Sequence, residues 1–224
     1  MPRLLELFSG TQSVSRVARE LGWETISLDI CPRHSPDLCM DIMDFDETMY
    51  PKFDFIWASC PCEAYSTART VAKIPRDEAM AASDKLVERT RQIIDYFGCP
   101  FFCIENPATS RLWTRNVAAG LQCIMTSYCC HGYKYRKNTQ IASNFLTKLP
   151  VCPGPNVCPQ MIGRRHKQHA QKGGGGSHPS YKSTDALHKI PEGLCREILS
   201  QVLNHLNVGR DGSTVQNGGV VVDP

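Results

Sequence analysis

Short apolar runs alternate with amphipathic stretches along the first half of the chain. Leu4, Leu5, Leu7 and Phe8 form a buried-strand signal that breaks at Ser9-Gly10. Val14, Val17, Ala18 and Leu21 then recur at three- and four-residue spacing, which predicts a helix ended by Gly22. Further strands are predicted at Glu24 to Leu28, Phe53 to Ala58 and Phe101 to Ile104. Between the last two, Asp77 stands where it can cap a long helix with a buried stripe of Ala79, Ala82, Leu86, Ile93 and Phe97, stopped by Gly98-Cys99-Pro100. Strands alternating with helices imply an α/β fold with a doubly wound, mostly parallel sheet, and such sheets bind ligands beyond the carboxyl ends of their strands. Ser9-Gly10, Asp29, Ser59 to Ser66 and Glu105-Asn106-Pro107 all fall at those ends.

Past residue 120 the pattern changes. Strands are predicted at Cys123 to Cys129 and Thr139 to Phe145, followed by a stretch rich in Cys, Pro, Gly and basic residues. Gly173 to Ser177 has the composition of a flexible linker. Leu194, Ile198, Leu199, Val202 and Leu206 then build an amphipathic helix introduced by Pro191 and ending near Gly209. The expected organisation is a core over residues 1–150, a small basic Cys/His/Gly-rich insertion over 151–184, a helix over 185–207 that returns to the core, and a flexible tail over 208–224. The length of 224 residues suits one domain with an appendage, and 42% hydrophobic with 21% charged residues excludes fibrous or wholly disordered classes. No apolar run approaches the roughly 18 to 20 residues that cross a bilayer, and the amino terminus lacks the layout of a secretory signal, so an intracellular location is expected, without membrane contact.

The net charge of +3 conceals an asymmetry: residues 106–184 carry eleven Lys and Arg and no acid, whereas the remainder sums to −8. A surface that meets polyanions fits this distribution, which makes nucleic acid the leading macromolecular partner. The twelve cysteines are spread along the chain below the density of a disulfide scaffold, so reduced thiols are expected.

Several constellations carry chemistry. The strand, glycine turn and helix around Ser9-Gly10 form a place where backbone amides can contact a cofactor, or simply reverse the chain, and Asp29 at the end of the second strand can accept hydrogen bonds from ribose hydroxyls, with Asp41 as another acceptor, or either acid can cap a helix. In Ser59-Cys60-Pro61-Cys62-Glu63-Ala64-Tyr65-Ser66, the CxC pair could hold a metal, but Cys62 beside a rigid proline also fits a thiolate presented into a cleft. Glu105 ends the next strand and can face the same cleft. Cys152, Cys158, His166 and His169 form a C-x5-C-x7-H-x2-H run in the basic segment; zinc on Cys152, Cys158 and His166, joined by Cys129 or Cys130, is weighed against unpaired thiols and DNA-facing histidines. Arg164, Arg165 and Lys167 are candidate phosphate contacts.

The order of Glu6-Leu7-Phe8-Ser9-Gly10, Cys60-Pro61-Cys62-Glu63-Ala64-Tyr65-Ser66 and Glu105-Asn106-Pro107 resembles the cytosine-5 DNA methyltransferases, whose motifs are (D/E)LFxGxG, PPCxxxS and EN(V/P), and above all their short stand-alone phage and large-virus members. Tyr133 to Lys137 is similar to a later basic motif of that family, and Ile190-Pro191 through Ile198 to its closing motif. The resemblance implies a Rossmann-like S-adenosylmethionine-dependent fold that methylates carbon 5 of cytosine. Cys62 would be the nucleophile toward carbon 6, Glu105 would contact the N3 and amine edge of a cytosine flipped out of duplex DNA, and Arg136 would support the base and the nucleophile loop. The donor S-adenosylmethionine would lie over Phe8, Ser9, Gly10 and Thr11, with Asp29 and Ile30 at the ribose, Asp41 and Ile42 near the adenine, and Pro61 alongside. Ser66, Arg69, Lys134 and Lys137 would contact DNA with the basic segment.

The chain departs from the family pattern at three places. Gln12 replaces the second glycine, Cys60 the first proline, and the Gly-Asn pair before the closing motif is missing. About 50 residues separate Arg136 from that motif, too few for a large target-recognition domain, so short or weak specificity is expected, resting on phosphate contacts. Two other readings share the fold: a relative that recognises DNA without turnover, and an RNA cytosine-5 methyltransferase.

Overall fold

A computed structural model describes residues 1–66, 75–168 and 184–211. The strands are β1 (Arg3–Leu7), β2 (Glu24–Asp29), β3 (Leu38–Cys39), β4 (Phe55–Ser59), β5 (Phe101–Pro107), β6 (Cys123–Ser127) and β7 (Asn138–Ser143), with a separate two-stranded hairpin of β8 (Met161–Ile162) and β9 (Arg165–His166). The helices are α1 (Ser13–Glu20), α2 (Arg76–Phe97), α3 (Thr184–His188) and α4 (Glu192–Asp211). The main sheet runs β3-β2-β1-β4-β5-β7-β6; all pairs up to β5 are parallel, and β7 lies antiparallel between β5 and β6. This is the Rossmann-like architecture expected, α/β with a doubly wound, mostly parallel sheet.

Period-2 alternation sends successive residues of the central strands to opposite layers. Leu5, Leu7, Ile56, Ala58 and Ile104 pack with Val87, Ile93 and Phe97 of α2 on one face. Leu4, Phe55, Trp57 and Cys103 pack with Val14 and Val17 of α1 and Leu194, Ile198 and Val202 of α4 on the other. Both faces are therefore covered, as parallel strands require. The chain order reverses between β1 and β4, which opens a crevice at their carboxyl ends.

Some expectations need correction. The residue preceding α2 is Pro75, and Asp77 lies inside the first turn rather than at the cap. Its buried stripe is Met80, Val87, Thr90, Ile93, Ile94 and Phe97, whereas Ala82 is exposed. Ile93 and Phe97 are common to both stripes and Leu86 is partly buried against the same core, so the observed face is widened to Met80, Val87, Thr90 and Ile94 rather than turned away. The strand expected over Cys123 to Cys129 ends at Ser127 and turns into a short 3-10 segment, Tyr128–His131. The linker Gly173 to Ser177 and the tail beyond 211 lie outside the described residues. Among the described residues no helix is long and apolar enough to cross a membrane.

Candidate active site

The crevice is a cleft of about 440 Å³. Its first wall is the turn after β1, Phe8, Ser9, Gly10 and Thr11, and its second is Asp29-Ile30 with Asp41-Ile42; Pro61, Cys62 and Glu105 close the far side. Local chemistry holds the first wall in shape. The Asp29 carboxylate spans the gap between β1 and β2, its Oδ2 accepting from Gly10 N at 2.7 Å and its Oδ1 from Cys31 N at 2.8 Å. Asp41 Oδ1 accepts from Met43 N at 3.0 Å, the turn-capping bond open to an aspartate there.

Phe8, Gly10 and Gln12 all take left-handed backbone conformations, with φ of 55°, 45° and 53°. Gln12 therefore adopts the conformation that glycine favours at its position. Its amide donates to His34 O at 2.7 Å and Ser35 O at 2.9 Å, and Arg19 donates back to its Oε1 at 2.9 Å. The departure from the family pattern thus keeps the turn and ties it to the loop that carries Arg33 and His34 to the cleft. Helix α1 has no side-chain cap of its own. Glu6 supplies that function from β1, accepting from Val14 N at 3.2 Å and Ser15 N at 2.8 Å. Burial pushes the Glu6 carboxyl up to about 7, against the downward pull of Ser15 and Val14.

The segment from Cys60 to Tyr65 is pinned at both ends. Asn106, buried at the end of β5, donates from Nδ2 to Cys60 O at 2.7 Å. Tyr65, fully buried, donates to Asp84 Oδ1 at 2.8 Å, and Arg115 pairs with the same carboxylate. Cys60 is buried with its Sγ 3.9 Å from Thr90 Oγ1 of α2, whereas Cys62 is half-buried; both line the cleft, and among the described residues neither belongs to a group of three or more candidate metal ligands. Burial pushes the Cys60 thiol up to about 12, which suits an inert core residue. Burial also pushes the Cys62 thiol up to about 11, with Glu63 adding and the Lys137 ammonium opposing. Glu105 Oε1 takes hydrogen bonds from Thr139 Oγ1 and, at 3.3 Å, from Tyr128 OH, which fixes the carboxyl at the cleft wall. Lys137 completes the group: its Nζ lies 3.5 Å from Tyr128 OH and 4.8 Å from the centre of that ring.

Arg136 is not brought to the cleft. Its charge acts on Cys152 and His166 instead, and Lys137 lines the cleft. Neighbouring residues of an extended segment point to opposite sides, so a shift of one position exchanges the two faces. Lys134, Arg164 and Arg165 are exposed, Ser66 is half-buried, and Lys167 is half-buried with its Nζ on Pro159 O at 2.8 Å. Arg69 and His169 lie outside the described residues. Cys152, Cys158 and His166 come together and are joined by Cys129, while Cys130 is not part of that group. Sequence reading missed Arg33, His34, Asp185 and His188 at the cleft rim. Arg33 Nη1 meets Asp185 Oδ1 at 3.1 Å across 152 positions, a proximity with no local signal.

No family model matches the chain. A protein of Frog virus 3 (isolate Goorha) named probable DNA (cytosine-5)-methyltransferase is 28% identical over 217 residues, 88% of this chain and 98% of the viral protein. Among solved structures, a crystal structure of a Spodoptera frugiperda DNMT2 mutant aligns at 16% identity with a TM-score of 0.44, over 71% of this chain and 58% of that protein. Over 88% of its length the chain is similar to that viral protein, whose name is the one borne by the family that the three ordered motifs resemble.

Proposed function

We propose that the chain transfers a methyl group from S-adenosylmethionine to carbon 5 of a flipped-out cytosine in DNA, through a covalent adduct at Cys62. The observation that carries this reading is the convergence of Cys62, Glu105 and Lys137 on one wall of the cleft whose other wall is the turn after β1 with Asp29. The cleft's size lies within the roughly 300 to 1,000 Å³ usual for small-molecule sites. Each Asp29 oxygen takes one backbone amide and keeps a lone pair for a ribose hydroxyl. The donor, when bound, would supply an electrophilic methyl group, its sulfonium sulfur–methyl bond breaking to leave the neutral thioether S-adenosylhomocysteine.

Carbon 5 of cytosine is a weak nucleophile, so the Cys62 thiolate adds to carbon 6 and moves an electron pair onto carbon 5. Carbon 5 takes the methyl group, its proton passes to solvent, and the returning electron pair breaks the carbon–sulfur bond and releases Cys62. Because burial holds Cys62 mostly protonated, the Lys137 ammonium favours the thiolate, and Lys137 takes the supporting part that the family resemblance assigns to Arg136. Glu105, held by Thr139 and Tyr128, presents its remaining oxygen to the N3 and amine edge of the base. Asn106 is a positioning residue that holds the Cys62 loop through Cys60 O. Ser66, Lys134, Arg164 and Arg165 contact phosphates as the minimal DNA-binding surface.

Labelled methyl transfer to mixed-sequence duplex DNA, with tRNA as competitor, tests the reading. The expected product is 5-methylcytosine in DNA, absent with Cys62→Ala. Equal label with Cys62→Ala removes this residue from the chemistry. Preferential labelling of tRNA replaces the DNA reading with an RNA one.

A further inference from the structure

Leu146 and Leu149 are buried in the core, but beyond them the loop from 150 to 160 and the β8–β9 hairpin bury, of their hydrophobic side chains, only Cys158 among the described residues. Val157 and Ile162 are 68% and 73% exposed, and the hairpin has only two paired positions on each strand, fewer than a two-stranded ribbon needs to stand alone in water. Small irregular segments of this kind usually require a staple. Four soft ligands converge where one is needed: Cys129 from the turn after β6, Cys152 and Cys158 from the loop, and His166 from β9, with their ligand atoms all within 4.8 Å of one another. His166 Nε2 lies 3.5 Å from Cys152 Sγ and 3.7 Å from Cys158 Sγ. A tetrahedral zinc with sulfur at about 2.3 Å and nitrogen at about 2.0 to 2.1 Å has S–N edges of about 3.6 Å. The cluster is thus already near the size of a zinc tetrahedron.

We infer that Cys129, Cys152, Cys158 and His166 bind one structural zinc ion that staples the basic hairpin to the core beside the active-site cleft. Three thiolates and one neutral imidazole leave the site with a charge of about −1, and the Arg136 guanidinium is the nearby cation acting on Cys152 and His166. All four positions carry a ligand, the closed arrangement of a structural site with none open for catalysis. The loop reaches the cluster through backbone bonds to the core, Pro150 O accepting from Thr126 Oγ1 at 2.7 Å and Cys152 N donating to Ser127 Oγ at 3.0 Å. Beyond the cluster, Gln168 N donates to Lys134 O at 3.0 Å. Metal binding therefore fixes Arg164, Arg165 and Lys134 as one surface, a role that rests on the proposed DNA substrate although the metal itself does not.

Zinc content of the full-length protein, purified under reducing conditions, is read by elemental mass spectrometry without DNA or donor. One zinc per chain is expected, lost in Cys129→Ser and Cys158→Ser and kept in Cys130→Ser and in His166→Cys, which preserves four soft ligands. Should the serine variants fail to fold, cobalt(II) added to chelated wild-type protein gives the readout through its thiolate charge-transfer bands. Zinc retained by Cys129→Ser overturns the staple to the core. Metal-free protein that binds no cobalt, or a disulfide among Cys129, Cys152 and Cys158, overturns the site. With the metal shown, its removal is expected to weaken duplex DNA binding roughly 10- to 60-fold at 0.1 M salt, the loss of one to two phosphate contacts. Unchanged DNA affinity would leave the zinc in place and refute its link to the proposed substrate.

Discussion

Gln12 offers the sharpest test of how the cleft wall after β1 is built. Its φ of 53° costs a residue with a Cβ roughly 1 to 2 kcal/mol relative to glycine. Of its three side-chain hydrogen bonds, the partly buried one to His34 O at 2.7 Å contributes most, and the exposed ones to Ser35 O and from Arg19 add little. Gln12→Ala keeps the backbone strain and loses the bonds, so it is expected to lower stability by about 1 to 2 kcal/mol. Gln12→Gly loses the same bonds but sheds the strain, partly offset by the greater entropy of an unfolded glycine, and is expected within about 1 kcal/mol of the native protein. Urea unfolding followed by far-ultraviolet circular dichroism, with unchanged m, compares the three. Both variants release the loop carrying Arg33 and His34, so titration calorimetry is expected to show S-adenosylmethionine binding weakened by a similar factor in each, roughly 2- to 10-fold. An alanine variant as stable as the glycine variant would refute the argument from backbone strain. Donor affinity that tracked stability instead of the shared loss of bonds would refute the argument from the loop.

Three further outcomes follow from the buried ionisable and polar groups. The folded-state value of Glu6, raised to about 7, means that the folded protein holds a proton the unfolded chain releases, so its contribution is complete below the ordinary value of 4.5 and is lost as pH rises through 7. Stability relative to Glu6→Gln is therefore expected to fall by up to about 3 kcal/mol from pH 4 to 8, and a pH-independent difference would contradict this. With the Cys62 thiol near 11, the alkylation rate of its peptide, followed by mass spectrometry, is expected to rise about tenfold per pH unit from 7 to 10; Lys137→Met should move the profile to higher pH, and an unmoved profile would remove Lys137 from thiolate support. Asn106→Ala leaves Cys60 O without its donor, and is expected to lower methyl transfer by on the order of 100-fold through misplacement of the loop, while retaining Cys62 in the cleft as judged by slow alkylation. Full activity in that variant would show that the Tyr65 anchor alone holds the loop.

The order of the central elements and the placement of Ser9-Gly10, Asp29, Cys62 and Glu105 were legible in the amino-acid sequence. A parallel sheet brings the carboxyl ends of its strands to one edge, so residues that end successive apolar runs become neighbours whatever the details of packing. What tertiary structure decided were matters of phase and long range. Arg136 and Lys137 are equivalent in composition and spacing, and only the pairing of β7 with β5 sets which of them faces Glu105. In α2 the apolar pattern found Ile93 and Phe97, but only the packing shows that Ala82 is exposed and Thr90 buried. Gln12 resembles a defect until His34 and Ser35 are seen to take its amide. Cys152, Cys158 and His166 have an unfamiliar spacing because their fourth companion, Cys129, belongs to the core. Arg33 reaches Asp185 across most of the chain. Such contacts depend on how separately formed elements pack, a property that no window of neighbouring residues contains.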